Sequence, residues 1–536
     1  MKMTRQPIVF AALLILVSSL LAASPGTQQS QQVRQGMGLV YDSLDAILMD
    51  LQTYDYSAGV GALMRLHAYV FTHKDDPQAR KETEAALLKF VQGSPAAGGL
   101  MAACRALRLI GGPDSVPVLA SLVLKPEATD PARYALERIP GVEADQALLA
   151  ALDKTQGDIR RGIVFSLGER KSPASVPALA RLARGKDPSL AADAVKALGK
   201  TASPESIKAL AAMLGKAGVP LRSEIASALL LAMEGTLAAG DKASAAAVYD
   251  KVFAANISPV SRQAAFKGKI ASGPKAQGAI LKVLTGKDPQ LYAPALALVP
   301  ANFGSGEIGR VADLMDRLPE ENRVQLTALL AKYPAETVRP YLLAAAESPS
   351  LNVRLAALRS IAEAGDGRSV VFLATKAART TGAEQDAARE ALARLKGLDV
   401  DAAVLEHITK TADEAVNAEL VQAASARRVA GAKPALMGLV KAGSPALKTR
   451  AAAALRSIAG QADIPDLLDL LGGLDDETAR EAMEDTVASV ARTDPRELAR
   501  AGEVGARLTA EKDAKKRTDL LRVLGKIGDD SALSLV

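Results

Sequence analysis

The sequence predicts an all-α fold of stacked helix pairs, arranged as a right-handed α-α superhelix of about 14 pairs. Three observations support this: a recurring sequence motif, a helix-start signal before each apolar run, and few strand-forming residues. In the motif, an apolar run ends at a small residue, and a Ser or Asp and often a Pro precede the next run. It stands near Leu109, Ser166, Ala197, Ser360, Ser457 and Val523. Repetition of this kind indicates a repeat architecture.

The repeat length is about 30 residues, which fits two helices of three turns with short connections. The repeat is marked by the apolar residue that closes the first helix of each pair: Leu109, Ile139, Leu167, Leu198, Ile270, Val299, Leu330 and Ile361, and so on to Leu524. The step from Leu198 to Ile270 is longer than the others, so the repeat is irregular there.

Helix starts are marked by Asp-Pro and Ser-Pro. For the first helices these dipeptides begin at Asp130, Asp187, Ser258, Asp288, Ser348, Ser444 and Asp494. An Asp or Ser side chain satisfies free backbone N–H groups, and Pro loses no hydrogen bond at the first helical position. Second helices are predicted to open near Ser115, Ser175 and Asp463.

Composition limits the possible functions. Of the 536 residues, 49% are apolar but only 3% are aromatic, and there is no Trp. Strands favour aromatic and β-branched residues, so a sandwich or barrel is disfavoured. A net charge of +6 over such a length does not indicate a nucleic-acid-binding protein. The single cysteine, Cys104, excludes an intrachain disulfide and is expected to be a buried packing residue.

The N-terminus has the pattern of an export signal. Lys2 and Arg5 precede an apolar run from Ile8 to Leu21, and small residues follow at Ala22 to Ser24. A positively charged start, a short apolar run and small residues at the cleavage site are the parts of a secretory signal peptide. We therefore expect an exported protein, periplasmic or extracellular, without membrane insertion once the signal is removed. Retention of the signal as an anchor is the alternative.

The predicted organisation follows from these patterns. Residues 1–24 are a signal peptide, 25–38 a flexible leader and 39–94 an irregular helical cap. Residues 95–228 and 259–536 form the repeat array, and 229–258 form an irregular helix pair that resembles a tetratricopeptide pair. Because the final helix begins at Ser531 and stops after about one turn, we expect a chain truncated before further repeats or a domain, or a partner covering that end.

The recurring motif, with its capped helix starts and Gly-x-x-x-Ser-Val-Pro-x-Leu turns, resembles HEAT repeats in the short form also seen in phycobilisome-lyase-type repeats. The stretch from Met101 to Ala183 is similar to exported bacterial HEAT-repeat proteins. The resemblance covers about residues 95–536 and implies a solenoid fold. In that family, arrays stand alone or accompany carbohydrate-active or redox domains.

No catalytic, cofactor-binding or metal-binding motif is present: the three histidines lack metal-ligand spacing, and no nucleophile elbow or phosphate loop occurs. One set of residues recurs near the starts of first helices, and we call it the arginine ladder: Arg133, Arg161, Arg354, Arg389, Arg450, Arg480 and Arg517. Its guanidinium groups would either bind carboxylates on a partner protein or acidic glycan, or pair with an acid on the adjacent repeat and stiffen the stack.

These observations predict an exported, non-enzymatic scaffold that binds a protein or peptide partner along a helical surface, with no cofactor and no nucleic acid. The alternative is an accessory module of an exported carbohydrate-processing or redox enzyme whose catalytic domain is absent from this chain. The sequence leaves the partner and the oligomeric state open.

Overall fold

The computed structural model describes residues 43–55, 57 and 59–535, and these residues form 32 α-helices and no β-strand. The predicted signal peptide and leader lie outside the described residues. The chain divides into two compact units, unit 1 (residues 1–273) and unit 2 (residues 274–536). The prediction of an all-α fold of stacked helix pairs is confirmed.

Unit 1 contains helices α1 to α14. Their bounds are α1 Leu44–Gln52, α2 Gly61–His73, α3 Pro77–Gln92, α4 Ala97–Ile110, α5 Ser115–Val123, α6 Thr129–Leu136, α7 Val142–Lys154, α8 Gly157–Arg170, α9 Val176–Leu182, α10 Pro188–Thr201, α11 Pro204–Leu214, α12 Val219–Ala238, α13 Lys242–Ala254 and α14 Pro259–Ser272.

Unit 2 contains helices α15 to α32. Their bounds are α15 Ala276–Leu284, α16 Tyr292–Ala297, α17 Val299–Asn302, α18 Gly309–Ala312, α19 Glu320–Leu330, α20 Ala335–Ala345, α21 Leu351–Ala364, α22 Val370–Arg379, α23 Gly382–Arg394, α24 Val400–Lys410, α25 Glu414–Arg427, α26 Lys433–Ala442, α27 Pro445–Leu455, α28 Ile464–Gly472, α29 Glu477–Ala491, α30 Gly502–Ala510, α31 Ala514–Ile527 and α32 Asp530–Leu533.

Several predicted caps are present. Asp187 caps α10, Ser258 caps α14 and Ser444 caps α27, and each side chain accepts a hydrogen bond from a backbone N–H of the first turn. In each case Pro follows at the first helical position, where its missing N–H costs no hydrogen bond. The local sequence therefore sets these helix starts.

Other predicted caps are wrong. Helix α6 begins at Thr129, one residue before Asp130, because the Thr129 hydroxyl donates to the carbonyl oxygens of Val123 and Lys125 at the end of α5 (2.9 and 2.8 Å). Asp130 instead accepts from Arg133. Two further starts are displaced: Ser350, not Ser348, caps α21, and Asp494 precedes a 3-10 turn at Glu497–Ala499.

The core of unit 1 lies between successive first helices and their second helices. The first helices α4, α6, α8, α10 and α12 each pack against the next in the series. At equivalent positions they bury one leucine each, and all five are fully buried: Leu107, Leu136, Leu167, Leu198 and Leu229. Burying a leucine stabilises the folded state by about 1.5–3 kcal/mol, so this row is a main source of cohesion between repeats.

One apolar residue that marks the repeat lies outside the core. The side chain of Leu109, near the end of α4, is 57% exposed, while Leu107 and Ile110 are buried. Two residues along an α-helix turn the side chain by about 200°. Leu109 therefore points away from the core that Leu107 enters.

Glycines let the first helices of unit 1 approach closely. A Cβ added at Gly168 would lie 2.8 Å from the Cα of Ala197, and one added at Gly199 would lie 2.8 Å from the Cβ of Ala228. Ordinary carbon contacts are about 3.5–4.0 Å. Helices α8, α10 and α12 are therefore packed at a separation that only glycine permits at these positions.

Two segments depart from the regular repeat. Helix α12 runs from Val219 to Ala238, so the predicted irregular segment 229–258 begins inside a helix. In unit 2, helices α16, α17 and α18 have only six, four and four residues. Pro294 and Pro300 lack the backbone N–H that would extend these helices. From α19 onward, alternate helices again pack in series.

Candidate binding surface

The arginine ladder lies on first helices of both units. Three of its members bind a carboxylate on the next first helix of the same unit. These pairs are Arg161 Nε to Asp193 at 2.6 Å, Arg354 Nη2 to Glu384 at 2.9 Å, and Arg389 to both carboxylate oxygens of Glu419 at 2.8 and 2.6 Å. The bidentate contact engages two donors of the Arg389 guanidinium, and Arg354 also donates to the backbone carbonyls of Ser348 and Pro349.

Two of these contacts shift the pKa of one partner each, Glu384 and Arg389. The hydrogen bond from Arg354 lowers the pKa of Glu384, against the effect of burial. The hydrogen bond to Glu419 raises the pKa of Arg389. Each shift favours the charged form of that group, and the pairs join neighbouring first helices and so contribute to cohesion between repeats.

The other four ladder members have different surroundings. Arg133 binds Asp130 and Ser166, and Arg517 donates to two backbone carbonyl oxygens. The Nε of Arg480 is buried without a hydrogen-bond partner, and Arg450 is exposed with no ion pair among the described residues. The ladder positions are thus in unlike environments, and a binding role for the ladder stays a prediction.

Sequence reasoning missed a second set of arginines near the ends of first helices. Arg170 donates to three backbone carbonyls at and just after the end of α6, those of Leu136, Ile139 and Gly141, and it pairs with Asp145. In unit 2, Arg427 plays the same part: it binds the carbonyls of Ala393 and Leu395 and the carboxylate of Asp401. The signal was available, because helix ends leave carbonyl groups without intrahelical partners.

A different surface lies on the first helices of unit 1. Each of the helices α4, α8, α10 and α12 presents two exposed or half-buried positions one turn apart, at i and i+4, and for α6 the second of these positions falls in the turn just after the helix. The first row holds Arg105, Tyr134, Phe165, Lys196 and Ser227, and the second holds Leu109, Arg138, Glu169, Lys200 and Leu231. We call these ten residues the two-row surface.

Four large apolar side chains stand on the two-row surface: Tyr134 is 39% exposed, Phe165 50%, Leu231 51% and Leu109 57%. Tyr134 and Phe165 occupy the same position on neighbouring repeats. The guanidinium of Arg108 lies 3.9 Å from the ring centre of Tyr134, and the ammonium of Lys200 lies 4.3 Å from that of Phe165. Such cation–π contacts hold each ring in one orientation while leaving part of it exposed.

The charges of the two-row surface are unbalanced, with four basic side chains and one acidic. Lys200 pairs with Glu169, and Lys196 lies 3.8 Å from Glu224 at the border. Arg105 and Arg138 are exposed and make no ion pair or side-chain hydrogen bond within the described part of the chain. They are free to bind a ligand from outside.

Part of this surface lines a depression of about 490 Å³ on α8, α10 and α12, bounded by Phe165, Lys196, Lys200 and Leu231 and by the Arg161–Asp193 pair. No group of histidine, cysteine and acidic side chains among the described residues could hold a metal ion. Cys104 is fully buried in α4, and burial raises the pKa of its thiol to about 12. No helix in the described ranges is both long and apolar enough to cross a membrane.

Residues 146–230 match the family model for HEAT repeats. This segment is similar to HEAT repeats. It runs from α7 to α12 and includes Phe165, Lys196 and Lys200 of the two-row surface. The resemblance predicted from the sequence is therefore supported there, and the fold is of a kind typical of protein-interaction scaffolds.

Solved structures with similar helical arrays are distant. A homology model of the full-length AP-3 complex is 11% identical, with 99% of both chains covered and a TM-score of 0.34. The karyopherin Kap121p bound to the extreme C-terminus of the protein phosphatase Cdc14p is 12% identical, with 99% of this chain and 75% of that chain covered and a TM-score of 0.37. The S. pombe condensin Cnd3–Cnd2 subcomplex is 12% identical, with 97% and 90% covered and a TM-score of 0.24. No curated protein matches the sequence.

Proposed function

We propose that this protein is an exported, non-enzymatic scaffold that binds a protein partner through the two-row surface of unit 1. The observation that carries the proposal is the pair Tyr134 and Phe165, which are exposed at the same position on neighbouring repeats and held in place by cations. Aromatic side chains that are fixed before binding lose little conformational entropy when a partner covers them.

The chemistry of the surface favours a protein over a small molecule. Tyrosine and arginine are enriched among residues that dominate binding energy at protein interfaces. Apolar and charged residues are interspersed here over five successive first helices, so a partner could make many contacts along the series. Small-molecule sites instead bury most of their ligand in a cleft, and the depression at Phe165 is bounded by charged side chains already engaged with one another.

The non-enzymatic part of the proposal rests on how the charged groups are used. In unit 1, several carboxylates on the first helices bind arginines or lysines of a neighbouring first helix, as in Asp193 with Arg161 and Glu169 with Lys200. An acid–base catalyst needs a titratable group that can reach a substrate. Groups held in ion pairs between repeats serve cohesion instead.

A photo-crosslinking amino acid placed at position 134 or 165 of the full chain tests the binding function. We expect crosslinks to a partner protein from both positions in the native host. Position 124 is the matched control, because Leu124 is also an exposed apolar residue of unit 1 but lies just after α5, outside the two-row surface. Equal crosslinking from all three positions would remove the surface-specific role.

Export is tested separately by following the tagged chain into cell fractions. We expect it in the periplasm or medium with its N-terminal segment removed, because residues 1–24 have the pattern of a signal peptide. Retention of the protein in the cytoplasm would refute export while leaving the binding surface untested by that result.

A further inference from the structure

The two-row surface is most basic at the α4–α6 end. Helix α4 contains no acidic residue. The carboxylate of Asp130 on α6 accepts from Arg133 at 2.8 Å, and that of Glu137, just after α6, is buried and accepts from Arg108 at 2.9 Å. Both acids are paired with other arginines, so they do not neutralise Arg105 or Arg138.

The next helix along has the same property. On α8, Asp158 lies 3.5 Å from Arg161, and Glu169 pairs with Lys200. The carboxylates on α6 and α8 are thus all paired with a basic side chain other than Arg105 and Arg138, and α4 carries none. The excess positive charge at this end comes from those two guanidinium groups.

Apolar and basic groups are interleaved at the α4–α6 end. Arg105 and Leu109 lie one helical turn apart on α4, and Tyr134 of α6 is followed four residues later by Arg138, in the turn just after that helix. Because α4 packs against α6 and packed helices lie about 8–10 Å apart, the four side chains form a compact set. A ligand that covers it must offer carboxylates to the arginines and apolar groups to Leu109 and Tyr134.

We propose that the occupant of the two-row surface is an acidic peptide segment of a protein partner, in which Glu or Asp alternates with Leu or aromatic residues. Carboxylates of the segment bind Arg105 and Arg138, and its apolar side chains pack on Leu109, Tyr134 and Phe165. Arginine suits this task because its planar guanidinium binds a carboxylate through two parallel hydrogen bonds. This inference rests on the proposed function and adds the chemistry of the partner.

Three labelled synthetic peptides of equal length test it with the full chain by fluorescence anisotropy. One alternates Glu with Leu and Phe, the second has Lys in place of Glu, and the third has Ser in place of Leu and Phe. We expect the first to bind about tenfold or more tighter than the others, with an affinity that falls as salt rises. Heparin serves as a fourth probe, for an acidic glycan.

The decisive variant is R105E/R138E, with R359E/R492E as its control. Arg359 and Arg492 are exposed residues of unit 2 that make no ion pair among the described residues, so the two variants change the net charge equally. We expect R105E/R138E to lose at least about tenfold in affinity for the Glu-Leu-Phe peptide and the control to retain it. Circular dichroism checks that both variants are folded.

Several results would overturn the inference. These are equal binding of the Lys peptide, equal binding of the Ser peptide, tighter binding of heparin with the same arginine dependence, absence of binding by all the peptides, or equal losses in the two variants. If crosslinking at positions 134 and 165 still succeeds in any of these cases, the surface binds a partner of another chemistry. If crosslinking fails as well, the proposed function fails with it.

Discussion

The spacing of helices α8, α10 and α12 depends on glycine, and the substitution Gly199→Ala tests that dependence. An added Cβ would lie 2.8 Å from the Cβ, 2.9 Å from the Cα and 3.0 Å from the carbonyl oxygen of Ala228. Since ordinary contacts are about 3.5–4.0 Å, α10 and α12 must separate by roughly 1 Å. Forcing an extra carbon into a packed interface costs about 1–3 kcal/mol.

A second effect opposes this cost. Alanine is favoured over glycine inside a helix by about 1 kcal/mol, so we expect Gly199→Ala to lower the free energy of unfolding by up to about 2 kcal/mol. The matched control is Gly235→Ala, near the end of α12, where an added Cβ meets nothing within 4 Å. The control keeps the helix gain without the clash and should stabilise the protein.

Hydrogen exchange followed by mass spectrometry measures both variants, because it gives an opening free energy for each helix even when the repeats do not unfold together. We expect Gly199→Ala to speed exchange in α10 and α12 and Gly235→Ala to slow it in α12. If Gly199→Ala stabilises as much as Gly235→Ala, the close approach of α10 and α12 is not a constraint, and the packing argument is refuted.

Three further predictions concern single side chains. Arg170→Ala should lower the free energy of unfolding, measured by chemical denaturation, by about 3 kcal/mol, because it leaves the buried Asp145 and three carbonyls without their partner. The control Arg181→Ala, which breaks an exposed pair with Asp153, should lower it by under about 1 kcal/mol in the same assay. Because the pKa of Glu384 is lowered in the folded state, its pair with Arg354 should stabilise the protein at pH values above the usual glutamate pKa of 4.5 and lose that effect as pH falls below it. The difference in unfolding free energy between wild type and Glu384→Gln should therefore shrink in acid, and a difference that stays constant with pH would contradict the assignment. Cys104, with a thiol pKa of about 12 and no exposure, should react with a thiol reagent at neutral pH only when the protein unfolds, and fast labelling of the native protein would show that α4 opens locally.

The repeat and the helix starts could be read from the sequence because they depend on neighbours along the chain. The cap at Asp187 needs only the N–H groups of the next turn, and the apolar period follows from the geometry of one helix. Where a cap prediction failed, at Asp130, a more distant contact decided the start: the Thr129 hydroxyl reaches back to the end of α5.

The candidate surface could be predicted only in part. The arginines of first helices stand out in the sequence, but Arg161 faces an acid on the next helix and Arg105 does not, and nothing local distinguishes them. Likewise, Leu109 is one of the apolar residues that mark the repeat in the sequence, but in the packed helices its side chain is exposed.

The amino-acid sequence by itself determined the helical repeat, the positions of many helix ends and the lack of strand-forming composition, since each follows from residues within a turn or two of one another. The tertiary structure alone decided which charges are neutralised and which apolar side chains face outward. Both depend on residues about 30 positions apart meeting across neighbouring helices, as Glu169 and Lys200 do.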